Sequence, residues 1–140
     1  MVVPKIVMDT NVLISALRSR LGGSYQLLKM VGQNKFDIFI SVPLILEYEA
    51  VSKRLIGQIE LSSTDINNVL DYICKVAKHN RIYYLWRPFL PDAKDDMVLE
   101  LAVSAACDFI ITHNLKDFKN VHQFGLDALT PQQFLKRIGG

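Results

Sequence analysis

The chain has 140 residues, half of them hydrophobic, and its 16 Lys and Arg against 14 Asp and Glu leave a net charge of +2. That length supports one compact domain with its own core and is too short for two ordinary ones, so residues 1–140 read as a single domain. The modest charge and the absence of a long polar run exclude a largely disordered chain, and the charge does not by itself mark a nucleic-acid binder.

The first nine residues form a short apolar run broken by Lys5 and ended by Asp9, which fits neither a secretory leader nor a membrane span; a cytoplasmic protein is expected. Cys74 and Cys107 lie within apolar helical patterns without metal-ligand spacing, so they read as buried free thiols rather than a disulfide pair.

Lys5-Ile6-Val7-Met8 is the kind of run that forms a buried parallel strand, and Asp9-Thr10-Asn11 leads directly into the helical spacing of Val12, Leu13, Ala16 and Leu17. Gly22-Gly23-Ser24 interrupts that pattern before a second helix through Tyr25, Leu27, Leu28 and Val31, ending near Gly32. Residues 36–42 are rich in β-formers and predict a second strand. Pro43 then opens a third helix carrying Leu44, Tyr48, Val51 and the acid Glu47.

Ser62-Ser63-Thr64-Asp65 is a capping-box pattern, and Ile66, Val69, Leu70, Ile73 and Ala77 repeat on one face of the helix it starts. Residues 82–85 are a third strand candidate, followed by a loop with Trp86, Pro88 and Pro91. Asp95 and Asp96 open a further helix through Val98, Leu101, Ala102 and Ala105. Residues 108–112 predict a strand, and Pro131 starts a last helix with Phe134, Leu135 and Ile138 as its buried stripe. Short apolar strands alternating with amphipathic helices indicate an α/β sandwich around a mostly parallel sheet, whose ligands bind beyond the carboxyl ends of the strands.

Several acids fall at such ends. Asp9 follows the first strand directly, where a carboxylate is costly to bury unless it is hydrogen-bonded or metal-bound; a helix cap is the plainer reading. Glu47 sits on a helix, Asp95 and Asp96 suit a helix N-terminus, and Glu100 lies one turn after Asp96 on the same face. Thr112, Asn114 and Asp117 follow the strand at 108–112. Carboxylates converging at one end of a sheet repel one another unless a cation neutralises them, and an all-oxygen donor set points to Mg²⁺ or Mn²⁺ rather than zinc. Phosphodiester hydrolysis by a metal-activated water is the chemistry such a site serves. No Walker A loop, GxGxxG turn, GxSxG elbow or zinc-spaced Cys/His set is present, and nothing pairs His113 with a nucleophile.

Val7-Met8-Asp9-Thr10-Asn11-Val12-Leu13, Glu47, residues 95–102 and residues 110–118 together resemble the successive signatures of PIN-domain ribonucleases. The resemblance implies a PIN-like three-layer sandwich, with a sheet of about five mostly parallel strands flanked by helices. It also implies a Mg²⁺- or Mn²⁺-dependent endoribonuclease acting on single-stranded RNA. Asp9, Glu47 and Asp96 carry over as metal-ligating acids, with Asp95 the alternative one position away, and Asp117 is the candidate fourth. Asn11 and Thr112 match the supporting polar positions, and Asp95, Glu100 and Asn114 stand beside them as further supporting candidates. Asn114 departs from the aspartate found in many members, which lowers the charge of the site. Similar small prokaryotic proteins are often toxins held by an antitoxin and are frequently dimeric, so an antitoxin partner and a homodimer or higher homo-oligomer are expected by resemblance.

Two alternatives are a catalytically silent PIN fold that binds RNA or protein, and a phosphate-signalling receiver domain. The receiver reading is disfavoured because the second strand ends in Ser41-Val42-Pro43 and the second acid falls inside a helix.

Overall fold

In a computed structural model, residues 2–81, 90 and 92–139 are described. The chain runs β1 (Lys5–Met8), α1 (Thr10–Arg18), α2 (Gly23–Met30), β2 (Asp37–Ile40), α3 (Val42–Lys53), α4 (Ser63–Val76), β3 (Lys78–His79), α5 (Ala93–Ser104), β4 (Phe109–Ile111), β5 (Asp127–Leu129) and α6 (Pro131–Arg137). Two 3₁₀ turns, Leu115–Phe118 and Val121–Phe124, separate β4 from β5. Among the described residues, five strands form one sheet in the order β3-β2-β1-β4-β5, all parallel. With the six helices of the described residues around it, this is the α/β sandwich expected from the sequence. No helix among the described residues is long and apolar enough to cross a membrane.

Central β1 is apolar throughout its last three residues because both of its faces are covered: Ile6, Val7 and Met8 are fully buried. It pairs with β2 on one side and β4 on the other, in the register Ile6↔Ile38 and Val7↔Ile110. The chain leaves β1 toward β2 and leaves β4 toward β5, in opposite directions, so a crevice opens beyond the carboxyl ends of this adjacent pair. The ladder continues past the strands: Asp9 N donates to Ile111 O at 2.9 Å and Thr112 N to Leu129 O at 2.9 Å. Both polar residues are thereby fixed at the rim of the crevice.

Helix boundaries follow their caps. Ser41 Oγ accepts from Leu44 N, so α3 begins at Val42, one residue before the proline, and β2 ends at Ile40. The Ser62–Asp65 capping box is formed reciprocally at α4. Asp92 caps α5 through Lys94 N, which starts that helix at Ala93, earlier than the aspartate pair suggests. At α6, Thr130 and Gln133 form a second capping box around Pro131.

The edge strand beside β2 is Lys78–His79, while the strand and loop expected at 82–91 lie almost wholly outside the described residues. Cys107 is buried and Cys74 partly so, both as free thiols. Burial pushes the Cys107 thiol up to about 12, which leaves it inert at neutral pH.

After α2, Gly32 turns the chain at φ +86°, and a Cβ there would lie 2.5 Å from the Tyr72 hydroxyl, which donates to Val31 O at 2.8 Å. Gly32→Ala is therefore expected to cost about 2 kcal/mol, from left-handed strain plus the displaced hydrogen bond. Urea unfolding monitored by circular dichroism measures it; a loss below about 0.5 kcal/mol, the range of ordinary surface changes, refutes this account.

Candidate active site

At the crevice, residues from four separated parts of the chain surround a cavity of about 370 Å³. Asp9 lies at the end of β1, Glu47 on α3, Asp92 and Asp95 at the start of α5, and Asp117 in the 3₁₀ turn after β4. Asn11 and Asn114 contribute amides, Thr10 a hydroxyl, Ile14 and Val51 apolar wall, and Lys94 a cation.

Asp9 is both cap and cavity residue. Its Oδ1 accepts from Thr10 N at 2.8 Å, the N-cap bond of α1, while its Oδ2 accepts from the Thr112 hydroxyl at 2.8 Å. Thr112 is fully buried, and its oxygen also accepts from Asn114 N at 3.0 Å and Asn11 Nδ2 at 3.4 Å. With both lone pairs occupied, its one proton is directed at Asp9. Asn11 Oδ1 in turn accepts from His113 N at 3.2 Å, joining α1 to the segment after β4.

The side chain of Asp9 is only 7 % exposed. Burial raises its carboxyl above the ordinary range, the bonds from Thr112 and Thr10 oppose that shift, and the charges of Glu47 and Asp117 add to it.

Glu47 is held from two sides. The Thr10 hydroxyl donates to Oε2 at 2.8 Å, and Lys94 Nζ lies 3.8 Å from Oε1. The next residue, Tyr48, is fully buried and donates its hydroxyl to Met8 O, tying the acid-bearing turn of α3 to the end of β1. Burial, then Asp9 and Glu47, push its phenol well above the usual range, so it remains a donor. Sequence reasoning missed Thr10, Tyr48 and Lys94 as site residues. The available signal was adjacency, since each neighbours a candidate acid.

The two aspartates of α5 have separate environments. Successive helical residues point about 100° apart. Asp95 lines the cavity, whereas Asp96 is 2 % exposed and its Oδ1 accepts from Leu90 N at 2.8 Å. Glu100, one turn further on, is 3 % exposed and, like Asp96, is not part of the cavity wall. The Asp95 carboxyl is pushed up to about 7, by burial first and then by Asp9, Asp92, Asp117 and Glu47. This is the response of a carboxylate among others whose charge is not offset.

The described residues of the cavity offer only oxygen ligands, without His or Cys, a donor set suited to Mg²⁺ or Mn²⁺. Among the described residues, no three acidic, His or Cys side chains are drawn closely enough together to hold an ion as they stand. The carboxylates line a wall rather than converge on a point. Beside the cavity, His113 Nε2 lies 2.7 Å from the Ser24 hydroxyl, and burial lowers the imidazole pKa.

The profile of the PIN domain family matches residues 5–116, most of the chain, and the chain belongs to that family. A comparison with curated proteins returned no match. Among solved structures, the chain is similar to one in the crystal structure of VapBC2 from Rickettsia felis bound to a DNA fragment from their promoter. The TM-score is 0.60 at 15 % identity, covering 89 % of this chain and 96 % of that one, a likeness of fold.

Proposed function

We propose that this PIN-domain protein is a divalent-metal-dependent endoribonuclease acting on single-stranded RNA in the cytoplasm, as the toxin of a toxin–antitoxin pair. The observation that carries the nuclease reading is the gathering of Asp9, Glu47, Asp95 and Asp117 from distant parts of the chain around one cavity at the β1/β4 crevice. Asp95 is preferred to Asp96 as the third acid because it faces the cavity while Asp96 is engaged with the backbone.

In this reading Asp9 and Glu47 present carboxylate oxygens oriented by Thr112 and Thr10, and Asp95 and Asp117 complete the acidic wall. A bound Mg²⁺ or Mn²⁺ would supply charge stabilisation to the phosphodiester transition state and activate the attacking water. Thr112 and Asn11 keep the β1 and β4 ends in register. The RNA substrate, the antitoxin and a homodimer follow from the resemblance to small PIN toxins, and the VapBC2 likeness supports the antitoxin partner.

Cleavage of labelled single-stranded RNA in Mg²⁺ or Mn²⁺ tests the proposal. Asp9→Asn removes one anionic ligand and is expected to slow cleavage about 100- to 1000-fold, and EDTA to stop it, because the stabilisation at issue is several kcal/mol. Cleavage that persists in EDTA, or equal rates for the two proteins, overturns it. A catalytically silent PIN fold is the second reading, favoured by a neutral amide, Asn114, in the cavity wall. No metal-dependent cleavage by the wild type selects it.

A further inference from the structure

Among the described residues that line the cavity, five are acids and one, Lys94, is a cation. Its ammonium lies 3.8 Å from Glu47 Oε1, yet its side chain retains 65 % of its exposure against 16 % for Glu47. An ion pair so open to water is held weakly and is released at little cost. Glu47 does not depend on it for orientation, since its other oxygen takes the Thr10 hydroxyl at 2.8 Å. The carboxylate is thus fixed and its cation is loose.

We propose that Lys94 is the exchangeable cation of this site: it offsets Glu47 while no divalent ion is bound, and turns to a phosphate oxygen of the nucleic acid once an ion takes over that carboxylate. The inference rests on the metal-dependent nuclease reading. Two like charges beside one carboxylate repel, so an arriving ion displaces the ammonium outward. The lysine stem is long and flexible and its head is a compact, strongly hydrated charge, suited to contact phosphate without demanding one geometry. A nucleic acid entering the acidic cavity meets repulsion that a cation at this position reduces.

Lys94→Met and Lys94→Arg separate the two roles. Lys94 is exposed, and α5 is capped by Asp92 through the backbone of residue 94, so both variants keep the helix start. Mn²⁺ binding to the full chain, followed by the electron paramagnetic resonance of the free ion, is expected to be about two- to fivefold tighter for Lys94→Met, the competing ion pair being worth about that much. Binding of labelled single-stranded RNA in Ca²⁺, titrated with KCl, is expected to lose about 0.7 from its log–log salt slope in Lys94→Met, one phosphate contact on a single strand, and to keep the full slope in Lys94→Arg.

Unchanged Mn²⁺ affinity in Lys94→Met, or an unchanged salt slope, overturns the proposal. If the wild type binds Mn²⁺ and the variant matches it, the exchange alone fails. If the wild type binds none, the nuclease reading fails with it.

Discussion

Asp95→Asn will raise the melting temperature of the metal-free protein at pH 8 while lowering metal-dependent cleavage about 100- to 1000-fold, the loss of several kcal/mol of charge stabilisation. The stability gain comes from the carboxyl that burial and four neighbouring acids push up to about 7. In the unfolded chain an aspartate titrates near about 3.9. Between those values the native state binds more protons than the unfolded state, so stability falls as pH rises through the window. The contribution is fully present below pH 4 and lost above pH 7. Asparagine does not titrate and escapes that fall.

A shift of this size is nominally about 4 kcal/mol, but Asp95 is half-open to solvent, and screening reduces the gain to about 1–2 kcal/mol. For a chain of this length that is a rise of about 3–8 °C. Melting in EDTA at pH 8 and at pH 4 measures it, with little difference expected at pH 4. Saturating Mn²⁺ reverses the order, because the wild type gains more from binding. Equal melting temperatures at pH 8 would sink the electrostatic account. Asp96→Asn provides the contrast, since the amide oxygen still accepts from Leu90 N and no cavity acid is removed; cleavage is expected to survive far better than in Asp95→Asn.

Phe134→Ala is expected to produce the largest loss of stability, about 3–5 kcal/mol. Phe134 is fully buried, and its ring meets Phe36 edge-on at 5.5 Å and Phe109 at 5.7 Å. It is the anchor by which α6, seven residues long, is held against α2 and β5. So short a helix is marginal alone, capping box and Pro131 included, and depends on this packing. Truncation leaves a void bordered by two aromatic rings that cannot close over it. The melting temperature is expected to fall by more than about 10 °C. A lower urea midpoint at an unchanged m-value supports a pure stability effect, whereas a loss below about 1.5 kcal/mol shows that the site collapses.

Much of this architecture was legible because the central elements carry undiluted signals. Ile6, Val7 and Met8 are apolar because β1 is covered on both faces, and α4 shows a capping box followed by a regular stripe. The edges were not legible for the same physical reason. β3 is Lys78–His79, both exposed, and β5 is Asp127-Ala128-Leu129; neither needs an apolar pattern, since backbone pairing on one side holds them. At the site, sequence order brought out Asp9, Glu47, the aspartate pair and Asp117. It favoured Asp96 over Asp95, whereas Asp95 is the one that lines the cavity, because which of the two faces it depends on helix phase, set by the Asp92 cap three residues earlier. Thr10 and Thr112 show their part only when the hydroxyl protons are followed across 37 and 103 positions of sequence separation.

That last separation has a kinetic side. The pairing of β1 with β4 joins segments about a hundred positions apart, so the crevice cannot exist until nearly the whole chain is available. Contacts of such long range form late, after loop-closure entropy has been met by other contacts. At about 5–20 residues per second, translation leaves Asp9 without Thr112 for several seconds, and Asp117 arrives later still. A nascent chain therefore carries no assembled acid cluster. If the protein is the ribonuclease proposed above, the topology itself delays activity until the segment after β4 has cleared the ribosome.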